Sequence, residues 1–143
     1  MTSDLESLSS IGFDGTLGLV IDSVAVDQVT AHLEPDDRHR QPYGLVHGGV
    51  YCSIVESLGS VGSATYAIDR GMVGAVGLSN STDFLRSHRE GRLNARATPI
   101  HQGRTQQLWL VEITRASDGK PVARGQLRTY NLASDEAIGG RSA

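Results

Sequence analysis

Apolar residues in this chain gather into short β-branched runs parted by polar turns, with one long exception in the middle. LGLVIDSV and QVTAHLEP flank a polar turn at Asp27 and read as a hairpin. DDRHRQPYG carries charge, Pro and Gly without periodicity, which predicts a loop of some length, and long loops in compact domains are often functional. GGVYCSIVESLGSVGSATYA, from Gly48 to about Ala67, has no proline and predicts the one long helix. Its Gly and β-branched content is poor by helix propensity, so burial must hold it, and small residues on nearly every face suit a helix wrapped by a sheet. VGAVGLSNSTDF, GRLNARATP, TQQLWLVEIT and PVARGQLRTYNL then read as four strands, the last two joined across Asp118-Gly119.

Two strands, a buried helix and four strands linked by short turns cannot form a parallel sheet, which needs a crossover after each strand. The fold class is therefore α+β, a mostly antiparallel sheet around one long central helix. At 143 residues the chain suits a single domain, with a core over about residues 15–132 and loose termini. One helix covers one face of such a sheet and leaves its edges open, so at least a dimer is expected.

Charge and composition remove several classes of function. The net charge of -3 gives no general attraction to nucleic acid. Gln41 to Ile68, the longest nearly uncharged stretch, is interrupted by Glu56 and His47 and is rich in Gly and Ser, which argues against a membrane span. MTSDLESLSS has neither a basic start nor an apolar core, so no secretory signal is read and a cytoplasmic location is expected. The single Cys52 cannot close an internal disulfide, and no Cys/His cluster has metal-ligand spacing, so neither a metal nor a cofactor is expected.

Glu56 is the only formally charged side chain between Gln41 and Ile68 and is flanked by Ile54, Val55 and Leu58. A carboxylate buried without partners costs several kcal/mol, so Glu56 needs either a satisfying partner or a chemical task. His47, Gly48 and Gly49 open the helix, where free N–H groups and close backbone approach could form an oxyanion hole, although glycines also permit a tight turn. Ser60, one helical turn after Glu56, could orient a water or simply pack. Cys52 has no paired base and reads as an apolar filler.

QPYGLVHGGVYCSIVESLGS resembles the signature of the hotdog-fold acyl-CoA thioesterases, in the PaaI-like branch that includes one kind of 4-hydroxybenzoyl-CoA thioesterase. The spacing from Gln41 through His47, Gly48 and Glu56 to Ser60 is similar to that of the Glu-using members, HQGRT at His101 to Thr105 resembles a shared turn, and the resemblance spans roughly residues 15–132. It implies a hydrolase of aryl or medium-chain acyl-CoA thioesters. Glu56 would be nucleophile or general base, the Gly48 N–H would polarise the carbonyl, Gln41 and His47 would position the acyl group and sulfur, and Ser60 would support the water. Some relatives carry a His where Phe84 stands, a departure that favours an aryl or aliphatic acyl group over a hydroxylated ring. Gly49 and Phe84 would line the substrate site.

The CoA phosphates would need basic groups, for which Arg86, Arg89, Arg92 and Arg104 are candidates; each could equally be solvated charge. A hotdog dehydratase and a non-enzymatic acyl-CoA binding protein are the rival readings. The first needs a base near the α-carbon, the second an output module for which no residues remain. Gly48 and Glu56 are eight residues apart, about 12 Å along one helix, too far to act on one carbonyl. Two antiparallel helices about a two-fold axis would bring Gly48 of one copy beside Glu56 of the other, as in the hotdog dimers this chain resembles, so a homodimer with shared sites is expected, and the resemblance implies its pairing into a homotetramer.

Overall fold

The expected hairpin at Asp27 forms from β1 (Val20–Ala25) and β2 (Gln28–Leu33), which pair antiparallel with Ala25 opposite Gln28. The structure, a computed structural model, describes Ser7 and residues 9–134. After β2 come the long helix, Gly48–Asp69, then β3 (Gly74–Phe84), β4 (Leu93–Gln102), β5 (Gln106–Arg115) and β6 (Pro121–Leu132). All neighbours in the six-stranded sheet, ordered β1-β2-β4-β5-β6-β3, are antiparallel. The long helix packs against every strand, which is the α+β arrangement expected.

Ile54, Val55 and Leu58 of the helix are buried at helical spacing against Trp109, Val111, Ile113 and Leu127 of the sheet. Glycines in this helix let the two layers approach: a Cβ at Gly59 would stand 2.6 Å from Leu127 Cδ2, and one at Gly62 would stand 2.6 Å from the Trp109 ring. Gly62→Ala is therefore expected to lower stability by about 1–3 kcal/mol through overpacking, overriding the roughly 1 kcal/mol gain in helix propensity. A urea denaturation curve checks the sign. A polar cluster secures the same end of the helix. Gln107 Nε2 donates to Ser63 O at 3.0 Å and Asn131 Oδ1 at 2.7 Å, Trp109 Nε1 donates to Gln107 Oε1 at 2.9 Å, and Thr129 Oγ1 donates to Ser63 Oγ at 2.9 Å.

Of the loose segment expected up to about residue 15, residues 1–6 and 8 lie outside the described residues, and from Gly12 the chain differs from that expectation. Gly12–Leu17 is a short helix, α1, which makes the long helix α2. Ser57 Oγ donates to Asp14 Oδ1 at 2.5 Å, and Leu17 is buried. The loop after β2 contains a 3-10 turn, Asp37–His39, whose buried His39 holds Leu17 O through Nε2 and accepts the Asp36 N–H through Nδ1 at 2.9 Å. Both pieces depend on contacts more than 20 residues apart, which local pattern does not reveal. The tail from Asp135 onward, expected to be loose, lies outside the described residues.

Asp118-Gly119 does turn the chain between β5 and β6, within the five residues 116–120, with Gly119 at φ +72°. Arg115 Nε and Nη2 each donate to the Asp118 carboxylate at 2.8 Å, which holds that carboxyl well below its usual range. No helix among the described residues is long and apolar enough to cross a membrane. Neither do the described residues contain a group of three or more His, Cys, Asp or Glu side chains that could hold a metal ion.

Candidate active site

At the start of α2 the N-cap is His47, in extended backbone at φ -63°, ψ 135°. Its Nδ1 accepts the Gly49 N–H at 2.8 Å, so the neutral ring carries its proton on Nε2. The first four N–H groups of a helix lack intrahelical acceptors. Here Gly49 is satisfied by the His47 ring and Val50 by His47 O at 2.9 Å, while the Gly48 N–H has no acceptor among the described residues.

Gly48 opens onto a cleft of about 310 Å³ lined also by Gln41, Tyr51, Phe84 and Arg86. Gln41 Oε1 is occupied by the Tyr43 N–H at 2.5 Å, which leaves its amide NH2 without an acceptor among the described residues. Two unsatisfied donors thus line one cleft. The Phe84 ring covers Gly48 so closely that a Cβ there would lie 2.6 Å from Phe84 Cε2, and it tilts 43° to the Tyr51 ring at a centroid distance of 5.8 Å. Tyr51 is 3% exposed, and its hydroxyl is the one buried side-chain polar atom without a partner among the described residues. Burial pushes that phenol up to about 12, so it is protonated at neutral pH. Tyr51 is not a candidate on sequence grounds, because an aromatic residue at helical spacing from Ile54 and Leu58 reads as ordinary core.

Glu56 lies elsewhere on α2 and is exposed in the chain instead of buried among apolar neighbours. The burial expected from its flanking Ile54, Val55 and Leu58 is corrected here, because the helix has a polar face. Cys52, Ser53, Glu56, Ser57 and Ser60 are all at least partly open, and this small-residue face looks neutral in sequence because serine and glycine carry no charge. The Glu56 Oε2 atom accepts from Asn80 Nδ2 at 3.2 Å, and Asn80 Nδ2 also donates to Cys52 O at 3.0 Å. Glu56 is absent from the lining of the Gly48 cleft. Ser60 is half-buried and makes no side-chain hydrogen bond among the described residues.

The structure separates the remaining candidates. His47 and Gly49 line a second cleft with Phe13, Arg38 and Ser53. Arg86 borders the Gly48 cleft while Nη1 donates to Pro121 O at 2.9 Å. Arg89 Nη1 donates to Tyr43 O at 2.9 Å and braces the Gln41 loop, and Arg92 Nε donates to Asn94 Oδ1 at 2.9 Å. Arg104 lies with His101 and Arg128 in a basic cleft of about 450 Å³ at the β4–β5 turn. Neither arginine's side chain is hydrogen-bonded among the described residues, and Arg128 joins the candidates only through the fold, which brings β6 beside that turn.

The thioesterase superfamily profile matches residues 43–122. The Mycobacterium tuberculosis protein Rv1847, which carries a provisional esterase name, is 43% identical over 86% of this chain and 88% of its own length. Its structure superposes with a TM-score of 0.83, covering 87% of this chain and 98% of that one at 41% identity. The 1,4-dihydroxy-2-naphthoyl-CoA hydrolase of Escherichia coli is 36% identical over 76% of this chain and 81% of its own length. The structure of thioesterase HI1161 from Haemophilus influenzae superposes at a TM-score of 0.85 and 29% identity, over 100% of this chain and 95% of that one. With its hotdog fold, the chain belongs to the thioesterase superfamily and is a thioester hydrolase.

Proposed function

We propose that the protein hydrolyses an acyl-CoA thioester whose acyl group is aryl or a medium-length chain, in sites shared between two copies. The observation that carries this is the pair of unsatisfied donors, Gly48 N–H and the Gln41 amide, in one cleft. Donors aimed at the position of a developing oxyanion are what acyl transfer requires. Glu56 supplies the carboxylate, as nucleophile or as the base that takes a proton from water. By either route water's oxygen ends in the acid, the C–S bond breaks and CoA leaves as the thiol. Tyr51, Leu45, Leu85 and Phe84 give the cleft an apolar wall suited to a ring or an aliphatic chain. The naphthoyl-CoA in the name of one relative is an acyl group of this kind.

The edge strand β3 supports the dimer. Among the described residues its side away from β6 is unpaired, and Val76, Leu78 and Phe84 are exposed along it, an arrangement that invites pairing with another strand. Along β3, Asn80 meets Glu56 while Phe84 meets Gly48. The four steps from Asn80 to Phe84 span about 13 Å, close to the rise of about 12 Å between the two helix positions. Antiparallel pairing of two β3 edges about an axis near Thr82 would therefore bring Gly48 of one copy level with Glu56 of the other. A tetramer would pair two such dimers.

The basic cleft of Arg104, His101 and Arg128 suits the CoA phosphates. It lies by the C-terminal third of α2, where Tyr66 Oη donates to Gln102 O at 3.2 Å, and an antiparallel pair of helices would turn that end toward the other copy's Gly48. The test follows thiol release from benzoyl-CoA and octanoyl-CoA and from the same acyl groups on N-acetylcysteamine, which has no phosphate. Arg104→Ala and Arg128→Ala are expected to raise KM for the CoA thioesters about tenfold and to leave the short thioesters unchanged. Equal effects on both thiols would remove the phosphate role, and no thiol release from either acyl-CoA would overturn the acyl-CoA reading.

A further inference from the structure

We propose that Asn80, itself oriented by Thr82, is the positioning residue of Glu56, and that it leaves Oε1 as the reacting oxygen over Gly77. The inference rests on Glu56 being the acting carboxylate, and it begins with a break in the pleat of β3. Gly77 pairs with Thr129 and Ser79 with Arg128, so Leu78 is an extra residue bulged out of the ladder. Strand side chains alternate faces. The bulge resets that alternation: Gly77 stands opposite buried Thr129, then Asn80, Thr82 and Phe84 stand opposite Leu127, Gly125 and Ala123, all buried. Gly77, Asn80, Thr82 and Phe84 therefore share the row that faces α2. Without the bulge Gly77 would face away from Asn80.

Each group in this row has a defined partner. Thr82 Oγ1 donates to Asn80 Oδ1 at 2.7 Å, which fixes that end of the amide as the acceptor. The two N–H bonds at the other end go to Cys52 O at 3.0 Å and Glu56 Oε2 at 3.2 Å. A flipped amide would set Oδ1 against two acceptors, a carbonyl and a carboxylate, so the orientation is determined from both sides. The Asn80 amide thus ties one carboxylate oxygen to the helix backbone a turn earlier. The other oxygen, Oε1, lies where a Cβ on Gly77 would be only 2.5 Å away; glycine makes the space it occupies. Oε1 has no partner among the described residues. Held in this way, Glu56 presents one oriented lone-pair oxygen instead of a freely rotating carboxylate, and misplacement of such a group by about 1 Å can cost on the order of 100-fold in rate. No titratable side chain lies in the row facing Glu56. Asp83 is opposite Arg124 on the other face of the strand, and the nearest such group on α2 itself is Cys52, one turn earlier.

The experiment measures kcat, KM and the pH profile of acyl-CoA hydrolysis for Asn80→Ala, Asn80→Asp, Thr82→Ser, Thr82→Val and Gly77→Ala, with Glu56→Gln as reference and urea midpoints as the control on folding. Asn80→Ala and Gly77→Ala are expected to lower kcat by about 10- to 100-fold with KM within about twofold. Asn80→Asp places a second carboxylate against the first, and like charge opposes ionisation. The acid limb of its kcat profile is expected to move upward in pH, which loss of a merely structural contact would not produce. Thr82→Ser keeps the donor and the rate, whereas Thr82→Val loses several-fold. If Glu56→Gln is inactive while Asn80→Ala and Asn80→Asp match the wild type in kcat and pH profile, the positioning role is overturned and the role of Glu56 stands. If Glu56→Gln itself turns over normally, both fall. Should Asn80→Ala unfold, the pH shift of Asn80→Asp and the contrast between the two Thr82 variants decide the matter.

Discussion

Glu56→Gln is expected to lower kcat by about 100- to 10,000-fold while leaving the urea midpoint within experimental error of the wild type. The two halves of this expectation have separate causes. Stability should hardly change because the carboxylate is exposed in the chain and makes one side-chain hydrogen bond, at 3.2 Å, which a glutamine oxygen can also accept from Asn80. Rate should collapse because an amide is neither a nucleophile toward a thioester nor a base for water. Turnover near the wild-type value would end the assignment of Glu56.

The sheet and the long helix were legible because each depends mainly on local pattern. A proline-free stretch from Gly48 and six β-branched runs parted by turns are enough to give α2 and its six strands, and β6 begins and ends where the pattern does. The HGG start of the helix was legible for the same reason, since N-cap chemistry is a property of a few adjacent residues. Other features depend on distant partners. Helix α1 and the turn at His39 hold each other through Leu17 O, so neither half announces itself. The bulge at Leu78 cannot be read from β3, because it is defined by the register against Thr129 and Arg128 of β6. For that reason Asn80 and Thr82 pass for ordinary strand polar residues. The openness of Glu56 is hidden from the sequence because serine, cysteine and glycine form a face that is polar without being charged. The arginines show the limit of charge as a signal: Arg86, Arg89 and Arg92 bond to backbone or neighbouring side chains, while Arg104 gains Arg128 beside it only through folding.

Mixing two inactive variants should restore activity if the site is shared between copies, and the choice of the second variant decides how clean the result is. Adding a Cβ at Gly48 would leave the backbone N–H in place, so its effect would mix blockage with displacement of Phe84. Gly48→Pro removes the donor itself. Proline is well tolerated at the first helical position, where the N–H has no intrahelical acceptor, and it requires the preceding residue to be extended, as His47 already is at φ -63°, ψ 135°. The Phe84 ring would have to move aside, which its exposure allows. Loss of one oxyanion donor should cost about 100- to 1,000-fold in kcat. Homodimers of Gly48→Pro then have two sites lacking the donor, and homodimers of Glu56→Ala have two sites lacking the carboxylate. In a heterodimer one site combines the intact Gly48 of one copy with the intact Glu56 of the other, while the second site carries both defects. Equal amounts unfolded and refolded together give heterodimers as half of all pairs, so about a quarter of wild-type activity should return. A site contained within one chain predicts no recovery in the mixture, because no chain in it has both groups. A heterodimer purified on two different tags and still inactive would therefore overturn the shared site, as would a fully active monomer.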